Sequence, residues 1–391
     1  MMKKTVCIGM LGAGFASCLH GDAYKKVSGI DVRLKTICDL NKDRADSIKK
    51  RYNYETSCSD FQQMLCDPEI DVIDIVTPPV VHPQMIIESL NAGKHVICEK
   101  PLTGYFGTPG AKDVGLTVPK RTMYEQVMQQ LNKLKDVISN SKGKFMYAEN
   151  FIYSTPIQKA AEIIRSKNSK ILWLKGEESV KGSPTASAGY WSSIGGGSLV
   201  RIACHPLSGI LWLKHQESVN RGENITISSV LCDVGTATHC LNEYEHRHIV
   251  ARPVDVEDVG VISITFSDGT KATIMGSDVV LGGTKNYIEI YCNDAALMCN
   301  ITPTDILNTY FLDEDGMKDF PLAEMLPAKL GWNKAFVSDD VIRGYVGEMQ
   351  DFMECVAYDR SPMANFNIAY DAMKVLYAAY QSAEEGRRIY F

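Results

Sequence analysis

Apolar and polar positions over the first 150 residues alternate between short apolar runs and segments with helical spacing. Thr5 to Leu11 is an apolar run that breaks at Gly12-Ala13-Gly14-Phe15-Ala16-Ser17. A helix-compatible segment follows to about Val27, and Ile30 to Cys38 is a second apolar run closed by Asp39. This is one βαβ unit with a glycine turn between strand and helix. The alternation continues: Ser59 can cap a helix carrying Phe61, Met64 and Leu65, and Val72 to Thr77 reads as a strand ending in Pro78-Pro79. Pro83 suits the first turn of the next helix and Gly93 its C-terminal cap, while Val96-Ile97-Cys98 and Phe145 to Ala148 read as further strands. Such alternation predicts an α/β fold, a Rossmann-type doubly wound parallel sheet over 1–150, with ligands at the carboxyl ends of the strands.

Beyond residue 150 the period changes. Ile262, Ile264 and Phe266 alternate with Val261, Ser263 and Thr265, Asp268-Gly269 is a hairpin signal, and Lys271 to Met275 and Tyr287 to Tyr291 read as strands. The stretch 151–391 is therefore expected to be an α+β domain on an open, mostly antiparallel sheet. Ala369, Ala372, Met373, Leu376, Ala379, Tyr380 and Ala383 fall at helical spacing with Gly386 as a stop, which predicts a closing helix over 368–386. That stripe reads as packing surface, bringing the helix back on the first domain. Between 104 and 122, glycines and prolines crowd together, so a loop is expected directly after the Val96 strand, either a lid or an irregular surface insert.

Composition narrows the classes. A chain of 391 residues is too long for one ordinary domain, and its net charge of −6 gives no reason to expect nucleic acid or an anionic membrane as partner. No stretch approaches the ~18 apolar residues of a membrane span. None of the twelve cysteines is spaced C-x-x-C and many sit inside apolar runs, which predicts no metal site and suits buried thiols in a reducing cytoplasm. Lys3 and Lys4 followed by apolar residues to Cys18 also read as a lipoprotein signal peptide, but only strand, turn and helix explain the alternation downstream. Asn224 and Asn300 match glycosylation triplets, which carry no meaning in a cytoplasmic protein.

The glycine turn carries the first chemistry. Gly12 permits the tight turn, Gly14 lets the backbone approach a pyrophosphate, and Phe15 and Ala16 open the helix whose N-terminus receives it. Ser17 stands at the third fingerprint position as a small residue. Asp39 is placed to accept from the adenosine ribose hydroxyls and to repel a 2′-phosphate, so the expected cofactor is NAD rather than NADP.

Cys98-Glu99-Lys100-Pro101, Thr77-Pro78-Pro79 with His82, and the Gly12 turn together resemble the Gfo/Idh/MocA family. Gly195-Gly196-Gly197-Ser198-Leu199 leading to His205 is similar to that family's glycine run and histidine helix, and Tyr370 to Arg388 to its closing helix. The resemblance implies an NAD-dependent oxidoreductase of a sugar, sugar acid or polyol, with Thr77, Pro78, His82 and Glu99 beside the cofactor. Lys100 then contacts the reacting hydroxyl, and His205 is the second catalytic candidate. Asn150, Tyr153 and Trp191 fall where relatives line the substrate pocket. Relatives usually hold an aspartate where this chain has Arg201. A guanidinium four residues before His205 would share its helical face, keep it uncharged, and bind a carboxylate, sulfonate or phosphate on the substrate; the plainer alternative is a structural ion pair. The resemblance also implies a homodimer or homotetramer formed through the open sheet face.

Three functions fit these residues. A sugar or polyol dehydrogenase comes first. An NAD-dependent glycosidase working by transient ring-hydroxyl oxidation, elimination, hydration and re-reduction comes second, and a non-catalytic NAD-binding regulator third. Intact Glu99-Lys100-Pro101 and His205 weigh against the last.

Overall fold

The computed structural model describes residues 4–302, 308–311, 331–334 and 340–391. Six strands, β1 (Thr5–Leu11), β2 (Asp31–Cys38), β3 (Thr56–Cys58), β4 (Val72–Ile75), β5 (His95–Glu99) and β6 (Phe145–Ala148), form a parallel sheet in the order β3-β2-β1-β4-β5-β6. The central strands are buried on both faces, which explains their apolar runs, interrupted in β4 by the buried Asp74. The stretch that also reads as a signal peptide is thus the middle of this sheet. β3 was invisible in the pattern because Thr56-Ser57-Cys58 is a short edge strand with no apolar run. The following helix, Phe61–Leu65, is capped by Asp60 rather than Ser59: the Asp60 side chain accepts from the Gln62 amide at 2.9 Å.

The second sheet contains β7 (Ile171–Ser179), β8 (Ile227–Gly235), β9 (Val259–Phe266), β10 (Lys271–Ser277), β11 (Lys285–Cys292) and β12 (Ala296–Asn300). β13 (Asn308–Phe311) and β14 (Gly331–Lys334) form a separate ribbon, and β15 (Ile389–Tyr390) closes the edge of the large sheet. Its order is β12-β11-β7-β10-β9-β8-β15, antiparallel except between β7 and β10. The inner face, with Leu174, Ile262, Ile264, Ile274, Ile288 and Ile290 buried, packs against the helix Cys204–Arg221. The outer face leaves Trp173, Leu231, Val261 and Met298 exposed, Trp173 stacked on Tyr291.

The closing helix runs Phe366–Glu385, ends on Gly386 in the left-handed conformation, and packs against the helix Lys120–Asn140 of the first domain. The helix Tyr345–Ala357 packs on the helix Phe15–Tyr24. C-terminal residues therefore complete the first domain.

The segment expected as a lid or irregular surface insert is mostly irregular, with Thr108, Pro109, Gly110, Lys112 and Asp113 exposed. It ends at Pro119, where the helix Lys120–Asn140 begins, and it is pinned between the domains on either side of its exposed centre. The Tyr105 amide donates to the Tyr377 hydroxyl at 2.6 Å, Trp191 Nε1 donates to the Tyr105 carbonyl at 3.0 Å, and the Gly115 amide donates to Asp255 at 2.9 Å. A Cβ on Gly115 would lie 1.8 Å from the Asp255 carbonyl oxygen, so glycine is required there for contact. Gly104 and Gly115 thus stand where another backbone comes close, whereas open space surrounds Gly110.

Candidate active site

The turn after β1 is built for an anion. Gly12, at φ 108, donates its amide to the Cys38 carbonyl at 2.7 Å, and a Cβ there would meet the Val76 carbonyl oxygen at 2.8 Å. Gly14 is the N-cap of the ten-residue helix Phe15–Tyr24; no side chain caps it and open space surrounds the position of a Cβ. The first amides of that helix are thus left for a ligand, which suits a dinucleotide pyrophosphate. Ser17 is buried, with its hydroxyl donating to the Gly14 carbonyl at 2.6 Å. Asp39 accepts from the Ala13 amide (2.8 Å), the Asn41 amide (2.8 Å) and Arg44 (3.0 Å). A carboxylate has room for one further donor, and Arg44 softens its repulsion of a 2′-phosphate.

At the end of β5 the motif residues join a buried network that the sequence pattern does not reveal. Glu99 accepts from the Lys100 amide at 2.9 Å and faces His20 Nε2 at 3.2 Å. The other ring nitrogen of His20 lies 2.9 Å from Asp74, which also accepts from the Tyr24 hydroxyl at 2.7 Å. Burial alone would lower the His20 pKa, but Asp74 and then Glu99 outweigh it and hold the imidazolium well above its ordinary range. Burial likewise raises Glu99, and the His20 bond and charge reverse that to a net lowering. Each of these residues sits inside an apolar run or helix, so only their proximity reveals them. The Lys100 ammonium donates to the Arg201 carbonyl at 3.0 Å, joining the motif to the glycine run of the second domain.

That run is fixed from two sides. Glu257 accepts from the amides of Gly197 (3.0 Å) and Leu199 (2.8 Å) and from the Tyr380 hydroxyl (2.8 Å), while the Tyr377 hydroxyl donates to the Gly195 carbonyl at 2.6 Å. Burial pushes the Glu257 carboxyl up to about 7 against these donors. The closing helix, read as packing alone, thus places the turn with two tyrosines. Leu199–Ala203 forms a π-helical turn before the helix Cys204–Arg221, a feature common at functional sites.

Here the two side chains expected on one face part company. Arg201 forms an ion pair with Asp278, the plainer of its two readings. His205 Nδ1 lies 2.6 Å from Glu149, at the end of β6, and its ring stacks on Phe151 with centroids 5.0 Å apart. A carboxylate oxygen accepts, so Nδ1 carries the proton of a neutral ring and Nε2 is left to accept another. Glu149, absent from the sequence-based candidates, supplies a carboxylate to the histidine from a different element than the missing aspartate. Glu149, Cys204 and His205 offer ligand atoms within 4.8 Å of one another. Burial pushes the Cys204 thiol well above its ordinary range.

Of the remaining candidates, His82, Tyr153, Asn150 and Trp191 have side-chain polar atoms engaged inside the protein, while the buried Thr77 hydroxyl has no partner. His82 is fully buried between the carbonyls of Thr77 (2.8 Å) and Pro101 (3.1 Å), tying the loops after β4 and β5 together, and burial lowers its pKa. Tyr153 donates to Asp351 at 2.6 Å, and Asn150 donates to the Arg343 carbonyl at 2.8 Å. Trp191 is buried against Tyr380, its amide donating to Asp255 at 2.7 Å. Among the described residues no helix is long and apolar enough to cross a membrane, and all twelve cysteines are free.

Residues 6–120 match the Gfo/Idh/MocA oxidoreductase family, NAD-binding Rossmann fold, and residues 157–298 match the family's C-terminal domain. Levoglucosan dehydrogenase of Pseudarthrobacter phenanthrenivorans is 26% identical over 397 residues, covering 96% of this chain and 95% of that one. Myo-inositol 2-dehydrogenase of Thermotoga maritima is 30% identical over 96 residues, 25% of this chain and 28% of that one. Among solved structures, GenD2 from gentamicin A biosynthesis in complex with NAD superposes with a TM-score of 0.79 at 18% identity, covering 100% of this chain and 97% of that one. Levoglucosan dehydrogenase with NADH and levoglucosan gives 0.72 at 21% identity, covering 99% of each. The chain belongs to the Gfo/Idh/MocA family of NAD-binding oxidoreductases.

Proposed function

We propose that this protein is an NAD-dependent dehydrogenase of a secondary hydroxyl on a sugar or polyol, with Lys100 and His205 as its catalytic residues. The observation that carries the reading is their convergence: the Lys100 ammonium rests on the Arg201 carbonyl, and four residues on, His205 is held through Nδ1 by Glu149 with Nε2 left to accept. The nicotinamide, when bound at the turn formed by Gly12, Gly14, Phe15 and Ala16, supplies the hydride acceptor. The chain's own residues handle the proton. Lys100 hydrogen-bonds the alcohol oxygen and favours its developing negative charge; His205 Nε2 takes the hydroxyl proton as the C–H hydrogen leaves with its electron pair. Glu149 fixes the ring and stabilises the imidazolium that results. Levoglucosan and inositol dehydrogenases among the relatives support a sugar or polyol over other alcohols, and support net oxidation over glycoside cleavage.

Lys100→Ala tests the reading. Turnover is expected to fall about 10²–10⁴-fold, the range for a positioned acid–base group, with melting temperature and NAD affinity by calorimetry unchanged. Turnover within a few-fold of the unaltered protein sinks it. The apolar residues on the outer sheet face support self-association, checked by a light-scattering mass above the 43.3 kDa of one chain.

A further inference from the structure

Around the proposed catalytic pair the protein buries polar atoms that nothing satisfies. Glu149 Oε2, Glu178 Oε2 and both side-chain atoms of Asn286 are shielded from solvent and have no hydrogen-bond partner. Glu149 is 0% exposed, Asn286 4% and Glu178 7%. Native interiors seldom leave such groups unpaired, and a cluster of them in one place marks what a ligand completes.

The topology shows that the cluster faces the site. Glu178 on β7 is paired in register with Asn286 on β11 and Gly276 on β10. Residues two apart on a strand share a face, and Gly176 lies against the histidine helix: a Cβ there would sit 2.8 Å from Pro206. A Cβ on Gly276 would sit 2.7 Å from Ala203, on the turn just before His205. Glu178 and Asn286 therefore point from the inner face of the sheet toward that turn. The Cys204 thiol, next to His205, feels burial first and then Lys100, Glu149, Glu178 and Glu99 together.

The charges do not balance. His20 is one cation between two carboxylates, Asp74 and Glu99, while Lys100 faces Glu149 and Glu178 as well. Arg201 is committed to Asp278; with Arg343, which acts on the Tyr345 hydroxyl together with Glu99 and Glu178, three cations still face four carboxylates among the described residues. Of these four atoms the two carboxylate oxygens can only accept while ionised, and the Asn286 amide offers one acceptor and one donor. An acidic sugar would bring more acceptors and more negative charge to such a wall; hydroxyls bring donors, and an ammonium brings donors with the compensating charge.

Resting on the dehydrogenase reading above, we propose that the site selects a polyhydroxylated ring bearing an amine over its neutral counterpart, and either over an acidic one. Glu178 receives the ammonium and Asn286 bridges two neighbouring hydroxyls. The anionic-substrate role considered for Arg201 is replaced by the opposite preference.

The test is steady-state kinetics with NAD on matched rings, glucosamine, glucose and glucuronate, together with calorimetric affinities for the same three. The unaltered protein is expected to favour glucosamine over glucose by about ten- to a hundredfold, the range of a charge-assisted hydrogen bond, with glucuronate last. Glu178→Gln is expected to erase the advantage of the amine, and Asn286→Ala to weaken all three rings alike. Glucose or glucuronate equal to glucosamine in the unaltered protein overturns the inference while leaving a dehydrogenase in place. A Glu178-dependent affinity order with no NADH formed supports the inference and overturns the dehydrogenase reading. The order in the unaltered protein is informative even if a variant fails to fold.

Discussion

Two buried histidines, one in each half of the site, meet carboxylates in different ways. His20, beneath the Lys100 motif, has both ring nitrogens facing acids, Asp74 on one side and Glu99 on the other. His205, on the turn from the second domain, has one nitrogen on Glu149 and the other unclaimed. The first ring is saturated and can only be a fixed cation holding two strand ends together. The second keeps an acceptor and can move a proton. Exposure does not separate them well, since both are buried; the count of occupied nitrogens does. A histidine's role is thus set by what is left over after the fold has used it.

The largest effect that tests this contrast lies at the open histidine. His205→Asn is expected to lower kcat by up to about 10⁴-fold with little change in stability. Glu149→Gln is expected to lower kcat by less, because the ring survives but loses its anchor. If stopped-flow kinetics show either variant within tenfold of the unaltered enzyme, the open nitrogen is not the base.

At the saturated histidine the loss should fall on folding. His20→Leu leaves the Asp74 and Glu99 carboxylates buried without their cation, a defect that typically costs about 3–5 kcal/mol. Denaturant unfolding measures it, and the folded fraction should retain kcat within tenfold. A variant that unfolds normally yet loses turnover as badly as His205→Asn breaks the distinction.

A smaller, pH-dependent effect belongs to Glu257, which holds the glycine run leading to His205. Its carboxyl is raised from an ordinary 4.5 to about 7 by burial. The folded protein therefore binds this proton more tightly than the unfolded chain does. The resulting stability is full below pH 4.5 and is lost as pH rises through 7. Its ceiling is about 3 kcal/mol from the shift. Glu257→Gln should gain on the unaltered protein between pH 5 and 8 in thermal unfolding. A stability difference that stays constant over that range refutes the assignment.

The sequence by itself determined what local periods encode. Apolar runs marked the central strands of the first sheet, since burial on both faces demands them, and strict alternation marked β9 and β10, since only one face meets the core. The glycine turn and the Lys100 motif were legible because a backbone turn and a strand end constrain residues adjacent in the chain. Tertiary structure alone decided the partners. Glu149 meets His205 across 56 residues, Arg201 meets Asp278 across 77, and His20 meets Asp74 across 54. A carboxylate has no period and pairs with whichever cation or imidazole the packing brings within hydrogen-bond reach. For the same reason Gly104 and Gly115 read as part of a loose loop, when the fold had used them to let backbones approach.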